Sequence, residues 1–167
     1  APGTQVIQKW CYNDNPSICG SDGGLYYWDE AMGYVTTEGA QGICPSGWHI
    51  PTDAELYILE NYLKDDGEPC DANRAEFTGP ATQCIPAGTK MKIGGSSGLN
   101  FPLAGQLNSP TYAYRQSIAS IWSSTDKNTL PDSAWHRHLN GVNPDIRAIS
   151  RDNSGKKQGR SVRCVKN

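Results

Sequence analysis

Residues 42–63, GICPSGWHIPTDAELYILENYL, decide the fold of this chain. Thr52 and Glu55 stand three residues apart, so the Thr52 hydroxyl can accept a hydrogen bond from the Glu55 amide. The Glu55 carboxylate can in turn accept one from the Thr52 amide, which completes a reciprocal capping box. The sequence therefore predicts that a helix begins here.

The helix that follows the capping box is amphipathic. Leu56, Leu59 and Leu63 share one face, which requires a hydrophobic core to cover it. Gly67 can adopt the left-handed conformation in which many helices end, so we expect this helix to stop near Lys64.

The length and composition indicate one domain built from short elements. A chain of 167 residues can bury about two-thirds of its unfolded surface. Its 18 glycines and 11 prolines favour many turns over a bundle of long helices. The sequence has no run of about 18 apolar residues and no charged leader with an apolar centre, so we expect a soluble chain without a membrane segment.

The six cysteines form an even set, which is typical of proteins from oxidising compartments. They lack the short paired spacings of a zinc site, so we expect disulfides and no bound metal. The first two flank a turn, and the fourth and fifth lie within one polar segment, which leaves the third with the last. Of the possible pairings, the sequence therefore predicts Cys11–Cys19, Cys70–Cys84 and Cys44–Cys164.

The order of elements predicts an α+β domain. A short helix is expected at residues 29–36, before the helix that begins at the capping box. Residues 65–118 are interpreted as a loop-rich insertion with one edge strand at 89–93. Residues 120–167 are expected to form the C-terminal sheet. The predicted strands lie at 6–7, 120–124, 134–139, 145–150 and 160–165, and the last four are expected to form one antiparallel sheet.

The C-terminal part differs from the rest in charge and pattern. Residues 134–167 hold eight Lys and Arg but only Asp145 and Asp152. The excess of positive charge in residues 134–167 can attract acidic ligands. The simpler interpretation is a set of solvated strands against which the aliphatic stems of the arginines pack. In the strand at 134–139 one set of residues is expected to face the core or a neighbouring strand, and the other to face outward. The alternating sets are Trp135, Arg137 and Leu139, and Ala134, His136 and His138.

Several segments resemble the Fibrobacter succinogenes major paralogous domain. They are LYYWDEAM at 25–32, GICPSGWHIPTDAE at 42–55, IWSS at 121–124, AW at 134–135 and SVRCV at 161–165. The resemblance spans nearly the whole chain and is weakest over 65–118. That domain looks like a member of the C-type lectin-like superfamily, which implies two helices, a small twisted sheet and long loops for residues 1–167. A bridge between Cys44 and Cys164 would correspond to the bond that joins the second helix region of that fold to its last strand.

The C-terminal pattern is also similar to the variable proteins of diversity-generating retroelements. In those proteins adenine-directed mutagenesis varies exposed residues on a lectin-like scaffold. The resemblance implies a variable ligand face at the positions that an adenine-rich Asn codon can reach, supported by Trp122 and Trp135. These positions are His136, His138, Asn140, Asn143, Asp145, Arg147, Ser150, Arg151 and Asn153.

No arrangement in the sequence indicates catalysis. It has no nucleophile elbow, no phosphate-binding loop and no free thiol beside a histidine. His136 and His138 share a strand face, a spacing that metal sites use, but no third ligand can be nominated. The Asn143-Pro144-Asp145 triplet is similar to that of calcium-dependent lectins, but the further ligands expected before the last cysteine are missing.

We therefore expect a secreted or cell-surface recognition domain, without enzymatic activity, cofactor or metal. Its expected partner is a protein or glycan on another cell or on a phage, and neither nucleic acid nor membrane. Two alternatives remain: a structural surface or pilus-like subunit, and a calcium-dependent carbohydrate-binding lectin.

Overall fold

Short elements joined by turns make up this α+β fold. The computed structural model describes residues 6–74, 83–141 and 148–167. Their helices and strands are, in order, α1 (Pro16–Asp22), α2 (Trp28–Ala31), β1 (Trp48–His49), α3 (Asp53–Leu63), α4 (Ala87–Met91), β2 (Gln106–Asn108), β3 (Thr111–Ala113), β4 (Ile118–Asp126), β5 (Ser133–Asn140), β6 (Ile149–Gly155) and β7 (Val165–Lys166). A single turn of 3-10 helix, Tyr12–Asp14, precedes α1. None of the helices in these ranges has the length and apolarity needed to cross a membrane.

The helix predicted from the capping box is confirmed as α3. The Glu55 amide donates to Thr52 Oγ1 at 3.0 Å, and the Thr52 amide donates to Glu55 Oε2 at 2.8 Å. Leu56 and Leu63 are buried. The helix ends at Leu63, next to the predicted Lys64.

All three predicted disulfides are confirmed: Cys11–Cys19, Cys44–Cys164 and Cys70–Cys84. The second joins residues 120 positions apart and fixes the end of the chain to the turn before α3. Beside it, β1 pairs antiparallel with β7, with His49 opposite Val165.

The predicted antiparallel sheet is present as β4-β5-β6. In its register Trp122 lies opposite His136, and Arg137 lies opposite Arg151. The third strand starts at Ile149, and half of the strand predicted at 145–150, residues 145–147, lies outside the described residues. Instead of a fourth strand at 160–165, the chain makes isolated bridges at positions 160 and 161 before β7.

Both faces of this sheet are covered, so the expectation that one face of β5 points outward is wrong. On one face Leu139 and Ile149 pack in a cluster with Leu63 of α3. On the other, Trp122 and Ala134 pack in a cluster with Trp28, Met32 and Ile50. Strands covered on both sides need buried residues at consecutive positions, which alternation alone does not reveal.

Three further predictions need correction. The helix expected at 29–36 is only α2, because Gly33 and Tyr34 have φ values of +62° and +61° that end it. The segment at 89–93 is not a strand, since most of it belongs to α4. Residues 6–7 form no strand, and pairing near the start of the chain begins with the bridge between Trp10 and Leu25.

The turn expected between Cys11 and Cys19 contains the start of a helix, α1. Asn15 Oδ1 accepts from the Ser17 amide at 3.0 Å, and Pro16 occupies the first helical position. An asparagine cap followed by proline is a known helix start, so the local signal was present.

Candidate ligand-binding site

The predicted ligand face is only partly accessible. Three of its positions lie outside the described residues, namely Asn143, Asp145 and Arg147. His136 is 2% exposed and Ser150 is 7% exposed, so the expectation that these two side chains reach a ligand is wrong. Both side chains lie on the face of the sheet that carries Trp122. The Arg160 guanidinium lies on the same side, 5.1 Å from the centroid of the Trp122 ring.

The two histidines of β5 share one strand face, as predicted, and both have lowered pKa values. Burial, together with the positive charge of Arg160, lowers the pKa of His138 to about 4. The same causes lower the pKa of His136 well below its usual range. His136 Nδ1 has no hydrogen-bond partner in the described part of the chain. Both imidazoles are therefore neutral at pH 7.

In the described residues, one group of potential metal ligands brings three donor atoms together: Glu60, Cys70 and Cys84. The two sulfurs are joined in a disulfide, so neither can bind a metal ion as a thiolate. The Glu60 carboxylate is engaged by Arg74 and Arg137. This group is therefore a structural contact.

Another predicted position, Arg151, belongs to a buried ionic network between α3 and the sheet. Asp53 and Glu60 project from α3. Arg137 Nη1 lies 2.5 Å from Asp53 Oδ1, and Arg151 Nη2 lies 2.8 Å from Asp53 Oδ2. Arg74 Nη2 lies 2.6 Å from Glu60 Oε2. Burial alone would raise the pKa of Asp53, but hydrogen bonds and charge from Arg151 and Arg137 lower it below its usual value.

The remaining predicted positions are half-buried. The Arg151 guanidinium stacks 3.5 Å from the centroid of the Trp135 ring, so one face of that ring is already occupied. Asn140 accepts from Lys92 Nζ through its main-chain oxygen at 3.0 Å. Ligand contact by His138, Asn140 and Asn153 stays a prediction.

A concavity lies along the segment that precedes β7. We call it the terminal-strand groove; it encloses about 570 Å³. Its lining comes from three distant parts of the chain and from three isolated positions. The lining residues are Ser21, Asp22, Gly23, Gly24, Tyr26, Ile43, Ile93, Asn100, Phe101, Pro102, Ile121, Ser161, Val162, Arg163 and Cys164.

Disulfides hold two walls of the terminal-strand groove in place. One wall includes the end of α1, and Cys19 within that helix is bonded to Cys11. The opposite wall is the segment 161–164, which is fixed through Cys164 to Cys44. Walls fixed in this way lose little conformational freedom when a ligand binds, which favours affinity.

A few polar groups lie among the apolar side chains of the groove. Ser161 Oγ is buried and has no hydrogen-bond partner in the described part of the chain. The Arg163 guanidinium donates to the Leu99 carbonyl at 2.9 Å and lies 5.2 Å from the Phe101 ring centroid. Burial raises the pKa of Tyr26, so its hydroxyl stays protonated at neutral pH. An apolar bed with few oriented polar groups is typical of ligand sites.

A second concavity, of about 600 Å³, adjoins the groove and shares Asp22, Ile93 and Pro102 with it. Arg115 and Asp22 both line it, and Arg115 Nε donates to Asp22 Oδ2 at 2.6 Å. The sequence does not predict this region, because its walls come from residues far apart in the chain. A local sequence signal for this region is the glycine-rich turn at 94–98. In the structure the neighbouring Ile93 is 68% exposed.

The fold and the groove together define a disulfide-bonded α+β domain with a preformed, ligand-sized concavity. Residues 4–166 match the family model described as the Fibrobacter succinogenes major domain, and the chain belongs to that family. No curated protein and no solved structure matches the chain.

Proposed function

We propose that this chain is an extracellular recognition domain that binds its ligand in the terminal-strand groove. One observation carries the proposal: a groove with an apolar bed lies between two walls that are each fixed by a disulfide.

Binding is better supported than turnover. The described lining of the groove contains no histidine, and its one cysteine, Cys164, is in a disulfide. Its one carboxylate, Asp22, is engaged by Arg115 in a short ion pair. A general base or nucleophile needs a group that is free to take a proton or attack, and these residues do not offer one.

The proposed scaffold is C-type lectin-like. Its support is the small antiparallel sheet packed on α3, together with the bond between Cys44, ahead of that helix, and Cys164, ahead of β7. Three disulfides fit a secreted or cell-surface protein, since such bonds persist in oxidising compartments.

Diversification of the C-terminal strands has weaker support. His136 and Ser150 are buried, and Arg151 holds an ion pair with Asp53, so varying these positions would disturb packing. A variable face would have to rest on the half-buried His138, Asn140 and Asn153 and on the positions outside the described residues.

The test uses a matched pair of exposed isoleucines. Ile93 is 68% exposed and lines the groove, whereas Ile58 is 63% exposed on α3 and does not. The full chain, labelled with a fluorophore, is applied to a glycan array and a protein array, and each hit is titrated with I93D and I58D. We expect I93D to weaken binding at least about tenfold and I58D to leave it unchanged. Hits that are insensitive to I93D would overturn the proposal.

A further inference from the structure

The terminal-strand groove begins where a strand pairing stops. The Tyr26 amide donates to the Arg160 carbonyl at 2.8 Å, and the Arg160 amide donates back to the Tyr26 carbonyl at 3.0 Å. In an antiparallel ladder the next pair of this kind lies two residues along each strand, which here is Gly24 with Val162. In the described part of the chain, the main chain of neither residue makes a hydrogen bond. The ladder therefore ends at Tyr26, and both residues line the groove.

The unpaired backbone continues along the groove. After Ser161, whose amide donates to the Ser120 carbonyl, backbone pairing resumes only at Val165 in β7. Within the described residues, 162–164 thus form a short edge whose N–H and C=O groups make no main-chain hydrogen bond. Such an edge can accept a further strand through main-chain hydrogen bonds.

The side chains around this edge favour a polypeptide as the added strand. The bed includes Ile43, Ile93 and Phe101, which suit the apolar side chains that an extended peptide places at every second position. Arg163 is exposed, so an acidic residue of the peptide can pair with its guanidinium at the rim. A sugar would instead need polar side chains for its hydroxyls along the bed, where Ile43, Ile93 and Phe101 offer none.

We propose that the ligand of the terminal-strand groove is an extended peptide segment of a partner protein, added as a strand along residues 162–164. Its alternate apolar side chains enter the bed, and an acidic residue meets Arg163. This inference rests on the proposed function of the groove and specifies its ligand class.

The test starts from a phage library of random linear heptapeptides panned on the full chain. The enriched consensus peptide is synthesised in three forms: unmodified, and N-methylated at each of the two alternating sets of amides. We expect alternating apolar residues and at least one acid in the consensus. N-methylation of one set should weaken binding at least about tenfold and that of the other set should not, because only one set faces the edge. The amide resonances of Gly24 and Val162 should shift on titration.

The side-chain part of the inference is tested by R163E against K157E, which makes the same charge change at an exposed lysine outside the groove. R163E should weaken binding of the acidic peptide about tenfold, and K157E less than about twofold.

Peptides indifferent to both N-methylation patterns would overturn the inference. If no peptide is enriched while an I93D-sensitive glycan binds, the peptide inference fails and the proposed function stands. If no ligand of any class is I93D-sensitive, both fail.

Discussion

Arg137 Nε donates to Glu60 Oε1 at 2.5 Å, and neither side chain is exposed to solvent. This contact joins β5 to α3 across the core. Both charges are shielded from water, so each depends on its partner: Glu60 also holds Arg74, and Arg137 also holds Asp53. Burial of charge is tolerated here because the network supplies hydrogen bonds to both sides.

Neutralising Glu60 should therefore be strongly destabilising. We expect E60Q to lower the free energy of unfolding by about 3 kcal/mol or more, because Arg137 and Arg74 would stay buried without their carboxylate. Urea titration of the oxidised protein measures this. The matched variant E68Q, in the loop after α3, should change stability by less than about 0.5 kcal/mol. Similar losses for the two variants would refute the role assigned to the network.

Acid should destabilise the fold through the histidines of β5. An unfolded histidine titrates near pH 6.5, whereas the folded pKa of His138 is about 4 and that of His136 is also lowered. Between about pH 6.5 and about pH 4 the unfolded state binds protons that the folded state does not. The free energy of unfolding should therefore decrease as the pH is lowered through this range. His49 has a raised pKa, so its stabilising contribution is already complete below pH 6.5.

Urea titrations at a series of pH values between about 4 and 6.5 give the slope of the unfolding free energy against pH. H138N should show a shallower fall in stability than the unsubstituted protein, because one of the two lowered pKa values is removed. H49Q should keep the original slope over the same range. A slope that H138N leaves unchanged would show that His138 is not the titrating group.

Local chemistry explains which parts of the fold could be predicted from the sequence. The start of α3 depends on two residues three apart, and the disulfides follow from parity and from which cysteines share a segment. In contrast, residues 89–93 alternate in polarity but are too few for a period to distinguish a strand from the single turn of α4. The sequence pattern therefore predicts best where one short motif contains the whole physical cause.

The candidate site could not be predicted because its causes are non-local. Alternation in β5 separates two sets of side chains, but the burial of His136 depends on packing against Trp122, 14 positions earlier, where the rings lie 5.9 Å apart. The terminal-strand groove exists only because Asp22, Ile93 and Val162 meet. No window of sequence contains those three residues together.

The disulfide at the groove should affect binding as well as stability. We expect C44S/C164S to lose about 2–4 kcal/mol of unfolding free energy and also to weaken the ligand selected on the arrays, since one wall is released. C70S/C84S should lose a similar amount of stability but keep the affinity, because neither residue lines the groove. Both quantities are measured on each double variant. Equal losses of affinity would mean that the bond at Cys164 has no particular role in the site.

The turn before α3 contains a glycine that no other residue can replace without displacing its neighbours. Gly42 has φ of +53°, and a Cβ atom there would lie 2.3 Å from the Ala31 carbonyl oxygen. That oxygen already accepts from the Ile43 amide at 2.9 Å, so the turn and the residue that ends α2 are in direct contact. Gly47 has φ of +80° in the same turn region, but a Cβ there would meet nothing within 4 Å.

Replacing Gly42 and Gly47 separately by alanine distinguishes the cost of backbone strain from the cost of steric overlap. G47A should cost about 1 kcal/mol, the usual penalty for a side chain in the left-handed region. G42A should cost about 1–3 kcal/mol more, because the added methyl must push α2 away from the turn. Urea unfolding of both variants gives the difference directly. If the two costs were equal, the contact between Gly42 and Ala31 would contribute nothing to stability, and the left-handed conformation alone would account for both glycines.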